Sequence, residues 1–300
     1  MRETIDALAR TPLSQVVLFV TVLTVIRIAL HPVLVKTPRH KQGGGFGFAR
    51  VANEMLDAFV YAGVFVFMLI RPFGVQAFLI PSGSMWPTLH VNDFIVANKA
   101  IYRYSDPRAG DIVVFRPPKD AALPDQLDAE GNVKVDFIKR CIGTPGQIVE
   151  LKEGVLYRDG QRVDERYKTL SACLDDPNNC QNFRSLSDAE KDGLTKASFK
   201  LVKYRGEYIP LNYTQFDANS PSPSGGSYSV AERYRFDDPE DGRKLIDLPA
   251  EPIPQGYFLM MGDNRNGSYD SRGWGLVPRD SIIGRSEFIW LPIQRWQVTR

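Results

Sequence analysis

Histidine and cysteine are both scarce in this 300-residue chain, with three of each. His31 lies in an apolar stretch and His40 in a basic one, so a hydrolase built on a histidine base would have to use His90. The cysteines lack metal-ligand spacing: Cys141 stands alone, while Cys173 and Cys180 bracket the polar loop "CLDDPNNC", which argues against a cysteine-held metal. That pair either closes a short disulfide, restricting the unfolded chain by roughly 2 to 3 kcal/mol in an oxidising compartment, or remains two surface thiols. Cys141, near Ile138 and Ile142, reads as a small buried hydrophobe. Charge excess is missing too: 37 basic against 35 acidic residues leave a net charge of +2, which gives no electrostatic footprint for a nucleic-acid partner. Neither a glycine-rich dinucleotide loop nor a βαβ alternation is present.

Long apolar runs, by contrast, dominate the N-terminal quarter. The stretch "LSQVVLFVTVLTVIRIALHPVLV", 13–35, is long enough as a helix to cross a hydrocarbon core of about 30 Å. A central Arg27 costs about 2.5 to 3.5 kcal/mol on insertion, but each central Leu, Ile, Val or Phe returns about 0.3 to 0.6, so the balance favours a transmembrane helix. The preceding residues are not net positive and no small-x-small site follows, which separates this segment from a cleaved secretory signal. A second span is expected over 55–77 around "AFVYAGVFVFMLI", with Asp57 and Arg71 snorkelling to opposite interfaces. The intervening loop, 36–54, carries Lys36, Arg39, Lys41 and Arg50 and a glycine run, so it reads as a flexible cytoplasmic linker that leaves everything after residue 78 outside.

The remainder reads as a mainly β, antiparallel domain. Strands are expected at "DFIVANK", "DIVVFRPP", "VDFIKRCIG" and "QIVELKEGVLYRDGQRV", the last holding an Asp-Gly hairpin turn, and again at "GYFLMMGDN" and "SIIGRSEFIWLPI". Residues 165–250 carry "DDPNN", "NSPSPSGGSYS" and "DDPEDGRK" with few apolar runs and read as an inserted, looser subdomain between core segments 78–164 and 251–300.

Chemistry is suggested by "IPSGSMWPTL", where two serines sit in a proline-stiffened turn just after the second apolar run. A serine hydroxyl is a poor nucleophile until a base takes its proton. One candidate base is His90; the other is Lys139, which alternation along "VDFIKRCIG" places on one face with Phe137 and Cys141. An ordinary lysine, with a pKa of about 10.4, carries a handicap of roughly 4 kcal/mol as a base at neutral pH. Apolar burial, assisted by the adjacent Arg140, is expected to remove part of it.

Four motifs in order, "PSGSMWPTL", "GDIVVF", "DFIKRCIGTPG" and "GDNRNGSYDSRGWG", together with the two apolar segments, resemble bacterial type I signal peptidase (leader peptidase). The resemblance implies a membrane-bound Ser-Lys endopeptidase with a β-rich catalytic core and no cofactor or metal, which removes signal peptides from exported preproteins at the outer face of the bacterial inner membrane. It places Ser84 as nucleophile, Lys139 as general base, and Ser82 with the Ser84 N–H as oxyanion hole. Ser268 would orient the lysine, and Asp270 with Arg272 would form a supporting ion pair. Phe78, Ile80, Met85, Leu89, Ile95, Phe137 and Ile138 would line shallow pockets for small side chains. The chain departs from the family's frequent "GDNRDNS" at Asn266 and Gly267. The competing reading is a membrane-anchored β-domain that binds exported chains without cutting them.

Overall fold

The computed structural model describes residues 13–36, 44–65, 74–168, 198–213, 228–230, 234 and 244–299. Contacts divide the chain into two units, one comprising Met1–Phe78 with Asn98–Ala100 and the other Leu79–Ala97 with Ile101–Arg300.

The first unit holds two helices, α1 (Leu13–Lys36) and α2 (Gly44–Val64), which pack on one another. Arg27 does not stand alone in α1: its Nε lies 2.8 Å from Asp57 on α2, so two charges that burden the separate helices neutralise each other. Asp57 therefore points to the neighbouring helix rather than snorkelling outward. α2 also starts at Gly44, because "FARVANEML" after the glycine run is composed of helix-compatible residues, and strand geometry is reached at β1 (Val75–Leu79), inside the range expected to be helical. Among the described residues no helix is long and apolar enough to cross a membrane, so the two spans expected at 13–35 and 55–77 are not established by the structure.

The second unit is built from antiparallel β-structure. Its strands are β2 (Phe94–Asn98), β3 (Ile112–Phe115), β4 (Phe137–Gly143), β5 (Val149–Lys152), β6 (Val155–Arg158), β7 (Gln161–Arg162), β8 (Ser198–Tyr204), β9 (Glu207–Tyr213), β10 (Tyr228–Ser229), β11 (Tyr257–Met261), β12 (Val277–Pro278), β13 (Ile282–Leu291) and β14 (Gln297–Val298), with a short helix α3 (Ser271–Trp274) between β11 and β12. One sheet runs β2-β13-β3-β4-β11-β12, with β14 added to β13; the other runs β10-β9-β8-β5-β6-β7. The Asp-Gly turn forms as expected: Asp159 and Gly160, at φ 52° and 76°, join β6 to β7.

Part of the segment read as a loose insertion is ordered sheet. β8 and β9 form a hairpin in continuous register from Ser198↔Tyr213 to Tyr204↔Glu207, turning through Arg205 and Gly206 at φ 51° and 88°, and β8 pairs with β5. Phe199 and Leu201 of β8 share an apolar layer with Ile142, Val149, Leu151, Leu156, Leu259 and Met261, so the two sheets close on a common core. A second cluster, with Val113, Phe115, Cys141, Phe258 and Trp274, fills the first sheet and buries Cys141 completely. Cys173 and Cys180, and with them the question of a disulfide, lie outside the described residues.

Candidate active site

Ser84 sits in a single 3₁₀ turn, Gly83–Met85, entered from an extended Ser82. Two contacts from the "GDN" segment hold this turn: Asn264 donates its backbone N–H to the Ser84 carbonyl (3.1 Å) and its side-chain Nδ2 to the Gly83 carbonyl (3.1 Å). Gly262 makes that approach possible, since a Cβ there would lie 2.4 Å from the Ser84 carbonyl oxygen. The buried Ser84 hydroxyl faces Lys139, with Nζ 2.7 Å from Oγ, and Ser82 Oγ stands 3.3 Å from Ser84 Oγ.

Lys139 is buried in the middle of β4, where its Nζ also donates to the Ile138 carbonyl (3.2 Å) and lies 5.6 Å from the centre of the Phe137 ring. Burial outweighs the attraction of Asp270 and Asp263 and lowers its pKa from 10.5 to about 8, with the Arg272 charge assisting. At neutral pH about one such amine in ten is uncharged, against fewer than one in a thousand for an ordinary lysine. A neutral amine at 2.7 Å is placed to accept the hydroxyl proton.

Arg140 plays a different part from the one expected of it. As the next residue on the strand it points to the other face, where Nε and Nη2 grip Asp263 at 2.8 and 2.7 Å, Nη1 donates to the Gly110 carbonyl (2.7 Å), and the guanidinium lies 3.9 Å from the centre of the Tyr167 ring. Its charge is matched by Asp263, and the cation that helps depress Lys139 is Arg272. Thr88 completes the cluster by donating to Asp263 Oδ2 at 2.5 Å.

Asp270 caps α3 and binds Arg272 through Nε (2.8 Å) and Nη2 (2.8 Å), while its Oδ2 accepts the Gly262 N–H (3.0 Å). Burial opposes the Asp270 charge, but Arg272 and these donors outweigh it and hold the carboxyl below its usual range. Ser268 Oγ is buried beside Asp270, where its hydroxyl helps hold that carboxyl low, and it makes no hydrogen bond to Lys139. His90 is stacked on Trp86 (ring centres 3.7 Å apart), its pKa lowered by burial and by Arg295, and it makes no hydrogen bond to Ser84. Among the described residues no group of His, Cys, Asp or Glu is arranged to hold a metal.

The pattern of the family described as "Signal peptidase, peptidase S26" matches residues 52–291, which includes Ser82, Ser84, Lys139, Arg140, Asp263, Ser268, Asp270 and Arg272. The chain belongs to that family. Among curated relatives, a probable signal peptidase I-1 of Synechocystis is 30% identical over 76% of this chain and 78% of its own length. Signal peptidase I of Aquifex aeolicus is 32% identical over 74% and 78%, and that of Haemophilus influenzae 28% identical over 81% and 71%.

In this signal peptidase family member, the residues expected to line substrate pockets divide by burial. Ile80, Met85, Leu89 and Ile95 are at most 3% exposed and pack as core, Ile138 is 8% exposed, and Phe137 keeps partial exposure. Phe78 falls in the first unit. Several residues that frame the turn were not singled out from the sequence: Gly262, Asp263, Asn264, Thr88, and the buried pair formed by Arg265 and Glu165, in which Arg265 Nε also holds the Gly262 carbonyl (3.0 Å). For 262–265 the signal available was the run "GDNR" itself, whose polar residues read as ordinary turn chemistry until their partners in 83–88 and at Arg140 are seen. Gly267, a departure from the frequent family pattern, packs on the Asn264 amide, where a Cβ would come within 2.3 Å of Nδ2.

Proposed function

We propose that this chain is a membrane-anchored Ser-Lys endopeptidase that removes N-terminal signal peptides from exported preproteins. The observation that carries the reading is the 2.7 Å approach of Lys139 Nζ to Ser84 Oγ inside a site that depresses the lysine pKa to about 8. Neutral Lys139 takes the Ser84 proton as Oγ attacks the scissile carbonyl. The oxyanion is received by the Ser82 hydroxyl and the Ser84 N–H. Collapse breaks the C–N bond, the Lys139 ammonium protonates the leaving amine, and the acyl group stays on Ser84 as an ester. Lys139, neutral again, then accepts a proton from water as water attacks the ester; the C–Oγ bond breaks, the Lys139 ammonium returns that proton to Ser84 Oγ, and the signal peptide leaves with a new carboxylate.

Substrate selection follows from backbone geometry. β11 pairs with β4 only at Arg140, Cys141 and Gly143, while β3 covers the opposite edge of Phe137–Arg140. An extended substrate segment added beside Phe137–Lys139 would gain main-chain hydrogen bonds at the reacting residues, with small side chains placed against Phe137 and Ile138. Helices α1 and α2, with Arg27 and Asp57 neutralised against each other, would anchor the chain with both termini outside and 36–43 in the cytoplasm. The catalytic unit would then stand on the outer face of the inner membrane, where signal peptides emerge.

The decisive experiment incubates the purified full chain with a preprotein whose signal ends in Ala-x-Ala. Release of the mature fragment by the native chain but not by Ser84→Ala is expected; binding without release would favour the non-cleaving module instead.

A further inference from the structure

Strand β9 lies against α3, and its Asn212 donates from Nδ2 to the carbonyl oxygen of Arg272 at 2.7 Å, across 60 positions of sequence. α3, which carries Arg272 and is capped by Asp270, is four residues long. So short a helix has almost no stability of its own, and its last carbonyls have no partner within it. Its position must be imposed by outside contacts. Trp274 is sunk in the core beside Phe115 and Arg272 holds the Arg265 carbonyl, and three further hydrogen bonds tie α3 to the sheets: Asp270 Oδ2 accepting the Gly262 N–H (3.0 Å), Ser271 Oγ accepting the Met260 N–H (2.9 Å), and the Asn212 amide. The first two come from β11 and its following loop, and the third comes from the other sheet.

β9 is a suitable anchor because it is not itself adjustable. It pairs with β8 along its full length, β8 pairs with β5, and Phe199 and Leu201 are locked into the layer that contains Leu259 and Met261. We propose that Asn212 is a positioning residue for the Ser84–Lys139 pair, acting through Arg272 and Asp270; this rests on the Ser-Lys reading above. The amide fixes the backbone at Arg272. The Arg272 guanidinium grips Asp270 and the Arg265 carbonyl (2.6 Å), Asp270 holds the Gly262 N–H, and Gly262 lies against the Ser84 carbonyl. A displacement of α3 thus reaches the nucleophile's backbone. It also reaches Lys139, whose protonation Asp270 and Arg272 both influence. Misplacement of reacting groups by a fraction of an ångström is costly in rate.

The test compares preprotein cleavage by the full chain with cleavage by Asn212→Ala, by Asn212→Asp, which keeps the shape but loses the donor, and by Asn212→Gln, which keeps an amide donor. Glu207→Gln, on the exposed start of the same strand, is the control. The expected result is a loss of about tenfold in kcat for Ala and Asp, the scale of one buried hydrogen bond, with KM unchanged, partial recovery in Gln, and native behaviour in the control. The acidic limb of the pH profile should also move in Ala and Asp, since the charges around Lys139 are rearranged. Native kcat and pH profile in a folded Asn212→Asp would overturn the proposal, as would a loss shared equally by Glu207→Gln. If the unmodified chain cleaves nothing, the functional reading fails on its own. The Lys139 titration, followed by NMR in the native chain and in Asn212→Asp, then decides the coupling: a shift sustains it and coincident curves refute it.

Discussion

Gly262 holds its α-carbon against the carbonyl oxygen of Ser84, so that a methyl group added there would lie 2.4 Å from that oxygen and 2.3 Å from Ser268 Oγ. The oxygen belongs to the backbone of the nucleophile's own turn and cannot rotate away. Gly262→Ala is therefore expected to push the Ser84 turn off Lys139 and lower kcat by on the order of a hundredfold. Steady-state kinetics on folded protein measures it; native kcat would show that the contact does not position Ser84.

Removal of either reacting group should be far more severe. Ser84→Ala and Lys139→Ala are each expected to reduce preprotein cleavage by at least about a thousandfold with the fold intact by circular dichroism. His90→Ala, which loses the stacking on Trp86 and the hydrogen bond to the Pro87 backbone but no hydrogen bond to Ser84, should retain cleavage.

The pH dependence of cleavage should rise on an acidic limb centred near 8 as Lys139 sheds its proton, and a limb below 6.5, the side to which burial and Arg295 move His90, would redirect attention to that residue.

The same shift has a consequence for stability, with a definite sign. Folded Lys139 loses its proton at about 8 and unfolded Lys139 near 10.5, so between those values the unfolded state binds more protons and this group makes the fold more stable as pH rises. Below pH 8 the folded state carries the cost of a buried charge. Lys139→Met should accordingly raise the melting temperature at pH 7 and lose that advantage by pH 10.5, which thermal denaturation across the range measures.

Arg140 and Asp263 form a buried ion pair with matched hydrogen bonds, at 5% and 0% side-chain exposure. Asp263→Ala leaves the guanidinium uncompensated and should cost about 3 to 5 kcal/mol in chemical denaturation, whereas replacing both partners with apolar residues should cost much less.

These expectations separate what the sequence could and could not disclose. Strand alternation in "VDFIKRCIG" correctly put Lys139 and Cys141 on one face, with Phe137 against the same core, because that pattern is local. The partner of Arg140 was not legible, since Asp263 lies 123 positions away and adjacency to Lys139 suggested a shared environment that the pleat in fact separates. The β8–β9 hairpin was hidden by the polar composition of the surrounding segment, although "YRGEY" contains the Arg-Gly turn that forms. Ile80, Met85, Leu89 and Ile95 illustrate a third limit: apolar residues beside a reactive serine look alike in sequence whether they face a ligand or the interior, and their near-complete burial is visible only in the structure.

The apolar layer shared by Phe199, Leu201, Leu259 and Met261 makes the β8–β9 hairpin part of the enzyme's interior. A void opened by truncating Phe199 would lie against β11, the strand that leads into Gly262, so damage to a remote hairpin can travel to the nucleophile's turn.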